Sequence, residues 1–289
     1  MNESNTSVVE LKKYGMLQQR QPEQFIMCPR AYCGDLSVAQ LRAIAAVAEQ
    51  YGEGLIHLTT RQGVEIPGVL KENLEVARLQ LEASGMRMGA NGPRVRVVVA
   101  CPGTSTCRYA SIETKQPAQY LDDTYLRQDT PWKCKMAVTG CPNNCARARD
   151  NDIGVMGGLE PEWTGDNCIN CNLCVRGCPV KAISKQHGRY VSDQSKCIGC
   201  SVCTTICPKG TWQAKRRGYT VWIGGTNGKV PRAGTRLAHL VENLDEVYAL
   251  IDRTLSYYKA NGKKPERLGH MLDRLGTEQV CAEILANDA

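Results

Sequence analysis

Apolar residues along this chain come in short bursts whose period changes from segment to segment. From Val38 to Tyr51, Leu41, Ile44, Ala45 and Ala48 recur at helical spacing, with Ser37 placed to cap the start and Gly52 the end. Leu55 to Thr60 alternates like a strand, and Asn73 to Ser84 reads as a second amphipathic helix closed by Gly85. Val95 to Ala100 is continuously apolar apart from Arg96, which predicts a buried strand delivering Cys101 at its end. Lys135 to Thr139 predicts another strand, delivering Cys141. Ala146 to Arg149 is expected to open a helix, and Ile153 to Met156 to begin a strand. Tyr219 to Ile223 returns to β character and Leu244 to Tyr258 to helix. The predicted class is α+β.

Between Met156 and Tyr219 the composition shifts. Residues 168–208 are dense in Cys, Gly, Pro and Ile, and they hold the one internal repeat. Cys168, Cys171, Cys174 and Cys178, followed by Pro179, are echoed by Cys197, Cys200, Cys203 and Cys207, followed by Pro208. Two copies of C-x2-C-x2-C-x3-C-P are the ligand pattern of a bacterial two-cluster ferredoxin, in which the fourth cysteine of each copy serves the other cluster. One cluster is then assigned Cys168, Cys171, Cys174 and Cys207, and the other Cys197, Cys200, Cys203 and Cys178. Zinc prefers paired C-x2-C knuckles and fits this register poorly. Because β and α patterns resume downstream, the block reads as an insertion.

A second cysteine set, Cys101, Cys107, Cys141 and Cys145, forms C-x5-C and C-x3-C separated by 33 residues. Four thiolates suit one [4Fe–4S] cube, though zinc or scattered core thiols suit the bare spacing as well. With 16 cysteines in 289 residues, a secreted disulfide protein is the competing class. The chain length and the metal-ligand spacings argue against it. No run of 18 apolar residues occurs, and Met1 to Val9 lacks the form of a leader. The expectation is a cytoplasmic protein of a reducing, anaerobic cell, with no membrane partner. The net charge of +7 comes without a nucleic-acid motif and with few stacking rings, so it is assigned to a solvated surface and to anionic ligands.

The flanking residues narrow the reading. Thr139-Gly140-Cys141-Pro142-Asn143-Asn144-Cys145 resembles the G-C-P-N-x-C signature of the sulfite and nitrite reductase family. His57 to Gln62 resembles its L-T-x-R-Q segment, and Trp222 to Gly225 with Pro231 to Gly234 resembles a C-terminal stretch of that family. The overlap spans nearly the whole chain. The cysteine-dense insert makes the arrangement most similar to catalytic subunits of anaerobic and dissimilatory sulfite reductases.

The resemblance implies a siroheme bridged to the cluster of Cys101, Cys107, Cys141 and Cys145, with Cys145 the shared axial ligand. Three [4Fe–4S] clusters are implied in all. It implies Arg61 and Arg232 at siroheme carboxylates, with Thr59 and Gln62 alongside. It implies Arg30, Lys133 and Lys135 around the anion, and Arg96 as a further candidate. The family's R-[LI]-P-G-G reads Arg30-Ala31-Tyr32-Cys33-Gly34 here, so Cys33 stands where a glycine approaches the macrocycle. Cys33 is either a cofactor contact or a buried core thiol.

The implied domains are a ferredoxin-like reductase part over 1–90 and a siroheme and cluster part over 91–162 and 212–289, interrupted by the insert at 163–211. The implied activity is six-electron reduction of sulfite, with nitrite reduction or a catalytically silent electron-transfer subunit as alternatives. No flavin or nicotinamide motif is present, so an electron-donor protein or subunit is expected. Larger relatives hold two copies of the unit and this chain holds one, so a homodimer or larger even-numbered oligomer is expected.

Overall fold

The computed structural model describes residues 7–286. Residues 1–6, on which most of the leader reading rests, lie outside them. The first layer runs α1 (Val8–Lys13), β1 (Met16–Gln18), β2 (Gln24–Met27), α2 (Val38–Tyr51), β3 (His57–Leu58), β4 (Val64–Leu70) and α3 (Leu74–Ala83). Its four strands form an antiparallel sheet in the order β1-β2-β4-β3. Helix α2 begins as expected: Ser37 and Gln40 close a reciprocal capping box. Ile44, Val47 and Ala48 face Phe25, Met27, Ile66 and Val69 in one apolar cluster. Leu41, expected on that face, lies on the solvent side and is 53% exposed.

The second layer is built from β5 (Val99–Ala100), α4 (Lys115–Tyr125), β6 (Met136–Thr139) and β7 (Ile153–Trp163). An excursion of α5 (Leu173–Gly177), β8 (Ile183–Gln186), β9 (Arg189–Ser192) and α6 (Val202–Ile206) follows. The layer resumes with β10 (Trp212–Ile223), β11 (Thr235–Val241), α7 (Leu244–Asn261), α8 (Leu268–Leu275) and α9 (Thr277–Ala286). The sheet order is β11-β10-β7-β6-β5, parallel from β5 to β7 and antiparallel from β7 to β11. Helix α7 lays Val247, Leu250, Ile251, Leu255 and Tyr258 into the main core with Val155, Val221 and Ile223.

Further sequence expectations change. Of the strand read over Leu55 to Thr60, only His57–Leu58 pairs, and both are exposed. The run from Val95 to Ala100 enters the sheet only at its last two residues. Upstream, its polar groups are met one at a time: Val95 N–H donates to Gln128, Arg96 N–H to Cys134, and Val98 N–H to the Asp122 carboxylate. An edge segment held by two scattered carbonyl oxygens and one carboxylate keeps its extended form without a regular ladder. The residues after Cys145 form a single 3-10 turn at Ala148–Asp150 and no α-helix, because Asn144 and Arg147 both adopt left-handed backbone (φ 59° and 57°).

The cysteine-dense block leaves and re-enters the sheet at paired positions. Strands β7 and β10 pair from Ile153↔Ile223 to Trp163↔Trp212, so residues 164–211 are the connection of one long hairpin. The block has its own apolar cluster of Ala182, Ile183, Tyr190, Trp212 and several cysteines. The internal repeat survives in three dimensions. Helices α5 and α6 are five residues each, and each follows a left-handed residue, Asn172 and Ser201.

Candidate active site

The four reductase cysteines meet because β5 and β6 are parallel neighbours, Ala100 paired with Val138. Parallel strands end on the same side, and open α/β sheets bind ligands beyond those carboxyl ends. Cys101 leaves β5 there and Cys141 leaves β6. The Gly140 N–H donates to Cys101 Sγ at 3.1 Å. The charges of Cys107, Cys145 and Cys101 all bear on the Cys141 thiol, which burial pushes above its ordinary value. Cys101 and Cys141 are buried, Cys107 half-buried and Cys145 exposed. Asn143 Nδ2 donates to Cys145 Sγ at 3.0 Å. Strand β7 passes close beneath: a Cβ at Gly157 would stand 2.5 Å from the Gly140 carbonyl oxygen, so only glycine admits this approach.

Beside Cys145 opens a cavity of about 550 Å³, counted to its mouth, lined by Thr60, Arg61, Gln62, Lys135, Arg147 and Asn151 among others. A second, of about 910 Å³, shares Thr60, Arg61 and Lys135 with it and is also lined by Cys28, Thr59, Arg96 and Lys133. The two cavities adjoin, with Thr60, Arg61 and Lys135 in the walls of both; together they are called the cleft. Arg61 bridges the layers, donating from the loop after β3 to Asn151 and to the Val97 carbonyl oxygen. Lys133 and Lys135 flank Cys134, whose side chain points the opposite way into the core, as their alternation predicts.

The cleft concentrates positive charge with little to balance it. Burial, with help from neighbouring cations, holds Arg61 and Arg96 down at about 10 and Lys135 at about 8, and lowers Lys133. Such a cluster destabilises its own charged form until an anion arrives. A polycarboxylate cofactor beside Cys145, with a small anion further in, matches this donor set. No lining residue other than Glu65 and Asp150 carries negative charge.

Sequence reasoning missed Asp152. Its carboxylate, wholly buried, accepts the Lys135 N–H at 2.7 Å and holds Arg267 in a two-point pair at 2.8 and 2.6 Å. A lone acid one residue before an apolar strand is the only signal, and Arg267 lies 115 residues away.

Gln62 makes a paired contact with Ala100: its Nε2 donates to the carbonyl oxygen at 2.8 Å, and its Oε1 accepts the N–H at 3.0 Å. It therefore stands in for a missing strand partner beside Cys101. Gly34 is required for the same reason, since a Cβ there would lie 2.7 Å from Gln62 Oε1.

Three expected site residues are not brought to the cleft. Arg30 is buried and its guanidinium is taken by Asp122 at 2.5 Å and Asp123 at 2.8 Å, with the Tyr32 ring beneath it. It lines neither cavity, and two carboxylates balance its charge inside the wall. Cys33 is fully buried in the main core with a left-handed backbone (φ 52°), and burial pushes its thiol up to about 12. It reads as the core thiol, away from the cleft. Arg232 pairs with Asp273 and donates to the Gly224 and Ala233 carbonyl oxygens, pinning the loop whose Asn227 lines the cleft. Trp222 packs into the apolar cluster around Cys101, with Arg149 over its ring.

In the hairpin excursion, one void, open to solvent, is lined by Cys168, Cys171, Cys174 and Cys207. Another is lined by Cys178, Cys197, Cys200 and Cys203. These are the two crossed sets that the repeat assigns.

A mixed α+β chain with four cysteines gathered beside a cation-lined cleft fits the donor set of a 4Fe-4S protein. Residues 91–288 match the family described as nitrite and sulphite reductase 4Fe-4S domain, and residues 17–84 the nitrite/sulfite reductase ferredoxin-like half domain. The chain belongs to this family. It is similar to the coenzyme F420-dependent sulfite reductase of Methanocaldococcus jannaschii, 32% identical over 94% of this chain and 44% of that protein. The chain thus spans less than half of that relative. It is 34% identical to one subunit of the anaerobic sulfite reductase of Salmonella typhimurium, over 84% of this chain and 78% of the relative. The crystal structure of dissimilatory sulfite reductase I shares the fold, with a TM-score of 0.77 at 21% identity, over 93% of this chain and 70% of that one.

Proposed function

We propose that the chain reduces sulfite to sulfide, taking six electrons through the hairpin excursion to the nest of Cys101, Cys107, Cys141 and Cys145. The observation that carries the proposal is the pair of adjoining cavities, one lined by Cys145, Arg61 and Lys135 and the other by Arg61, Lys135, Arg96 and Lys133. The relatives named as sulfite reductases support it. Siroheme, when bound beside Cys145, supplies an iron at which the anion is reduced. Arg61 and Arg147 face its carboxylates from the cleft wall.

Lys133, Lys135 and Arg96 hold the anion's oxygens. Each loss of oxygen as water consumes protons, and an ammonium whose pKa lies near 8 gives up a proton more readily than an ordinary lysine. Arg30 braces the wall through Asp122, which also holds Val98. The two crossed cysteine sets hold two further [4Fe–4S] clusters and pass single electrons from a donor protein. One copy of the family unit per chain favours an even-numbered assembly.

Anaerobic turnover with a reduced viologen dye tests the proposal. The expected result is a higher kcat/KM for sulfite than for nitrite and roughly six electrons per anion. Preference for nitrite moves the assignment to ammonia-forming reduction. Absence of turnover on both anions in a siroheme-loaded protein makes the chain an electron-transfer subunit.

A further inference from the structure

The two halves of the cysteine repeat are alike in backbone but not in what faces each void. Counting from the fourth cysteine of each copy, Thr211 and Trp212 follow Cys207 where Ala182 and Ile183 follow Cys178. Thr211 and Trp212 line the void of Cys168, Cys171, Cys174 and Cys207, and Trp163 lines it too. Ala182 and Ile183 line the other. Thr211 Oγ1 lies 3.1 Å from Cys207 Sγ, and a ligating thiolate can only accept, so the hydroxyl donates. The Trp212 indole N–H faces the Cys174 sulfur. Trp212 is 3% exposed, and the Nε1 atoms of Trp212 and Trp163 are buried without a well-formed hydrogen bond to any protein acceptor. The void of Cys178, Cys197, Cys200 and Cys203 has one comparable group, the buried Ser192 hydroxyl. Neighbouring backbone N–H groups meet both sets: Ala182, Gly199, Val202 and Thr204 meet Cys178, Cys197, Cys200 and Cys203, while Val175 meets Cys174 and Lys209, Thr211 and Trp212 meet Cys207.

Position along β7 orders the sites. Gly157 lies under the Cys141 loop. Leu159 N–H donates to Gly199, and Ser201 Oγ donates to the Tyr109 carbonyl oxygen, two residues past Cys107. Trp163 ends the strand at the void of Cys168, Cys171, Cys174 and Cys207. At about 3.3 Å per residue, these stations advance steadily away from the reductase nest. The set containing Cys197 is therefore the inner one and the set containing Cys168 the outer one.

We propose that Trp163, Thr211 and Trp212 donate hydrogen bonds to the sulfurs of the outer cluster and make it the more readily reduced of the two. The proposal rests on the reading above that both crossed sets hold [4Fe–4S] clusters. Hydrogen bonds to cluster sulfur favour the reduced state, which carries one more negative charge, and so raise the potential. An electron entering from outside then rests on the outer cluster, and its step inward is uphill until the reductase nest draws it on.

The test is a redox titration of the full-length holoprotein followed by electron paramagnetic resonance, comparing wild type with Trp212→Phe, Trp163→Phe and Thr211→Val. The expected result is that each variant lowers the higher of the two midpoints belonging to the excursion and leaves the lower one in place. Thr211→Val preserves side-chain size, so it reports even where a tryptophan variant fails to fold. Unmoved midpoints, or movement of the lower one, overturn the proposal while leaving the clusters in place. Iron and sulfide amounting to one cluster per chain overturn the reading beneath it.

Discussion

Lys135 shows how the site trades stability for binding. Its ordinary pKa of 10.5 falls to about 8 through burial and the neighbouring Arg61, Arg267 and Lys133. A lysine lowered in the folded state costs stability whenever it is charged in both states. That cost is complete below pH 8 and fades as pH rises from about 8 to 10.5. Lys135→Met should therefore stabilise the ligand-free chain at pH 7, by on the order of 1–2 kcal/mol after solvent screening. The gain should vanish above pH 10.5, and thermal unfolding across that range checks both. The same substitution should weaken anion binding at least tenfold, whereas Lys135→Arg should keep binding but remove its loss above pH 8. A pH series of sulfite affinity separates these. Asp152 governs the same residue from behind. Asp152→Asn leaves Arg267 buried without its counter-charge and should cost roughly 3 kcal/mol in denaturant unfolding. It keeps an acceptor for the Lys135 N–H, so a loss confined to stability assigns the pair a structural role. A parallel rise in KM assigns it the positioning of Lys135.

Among the elements, legibility follows locality. Helix α2 carries its own start and stop signals, Ser37 and Gly52, so its bounds are legible, whereas the face taken by Leu41 is set by packing and is not. The segment before Cys101 reads as a strand from its apolar run, yet it joins the sheet over two residues only. What holds it extended comes from elsewhere in the chain: the Gln128 and Cys134 carbonyl oxygens, Asp122 from α4 and Gln62 from the loop after β3, and no periodicity announces such partners. The cysteine spacings are legible for the opposite reason, since metal geometry constrains them locally. Gln62 provides the test of side-chain support. Gln62→Leu removes both hydrogen bonds to Ala100 and strands its buried N–H and carbonyl oxygen, at a cost of about 1–3 kcal/mol. Because Ala100 precedes Cys101, the variant should also lose iron from the reductase nest while the excursion keeps its own. Gln62→Glu retains the acceptor for the Ala100 N–H but sets a carboxylate against the Ala100 carbonyl oxygen, and should lie between wild type and Gln62→Leu. Iron per chain and the unfolding midpoint, measured on the same preparations, decide.

At the scale of the molecule, the excursion is mechanically separable from the sheet that carries it. It begins and ends at a paired position, Trp163↔Trp212, and its apolar cluster is distinct from the two larger ones. Its links to the reductase nest, Leu159 with Gly199 and Tyr109 with Ser201, are single hydrogen bonds. Paired ends suit a two-residue hairpin turn. Replacing residues 164–211 with Asn-Gly, and Trp163 and Trp212 with threonine to avoid bare indoles on a strand end, should leave the five-stranded sheet and the cationic cleft folded. Iron should fall by roughly eight atoms per chain, the content of two cubes. Sulfite affinity should hold, since no cleft residue lies in the deleted stretch. A small reductant needs no protein docking surface, and no residue lining the cleft is removed. Viologen-driven turnover should accordingly persist while turnover from a protein donor is lost. If both fall together with the sheet intact, the excursion is needed to shape the nest, and its contact through Ser201 with the Cys107 loop is the place to look. If neither falls, electrons enter by another route and the repeat's clusters are bypassed.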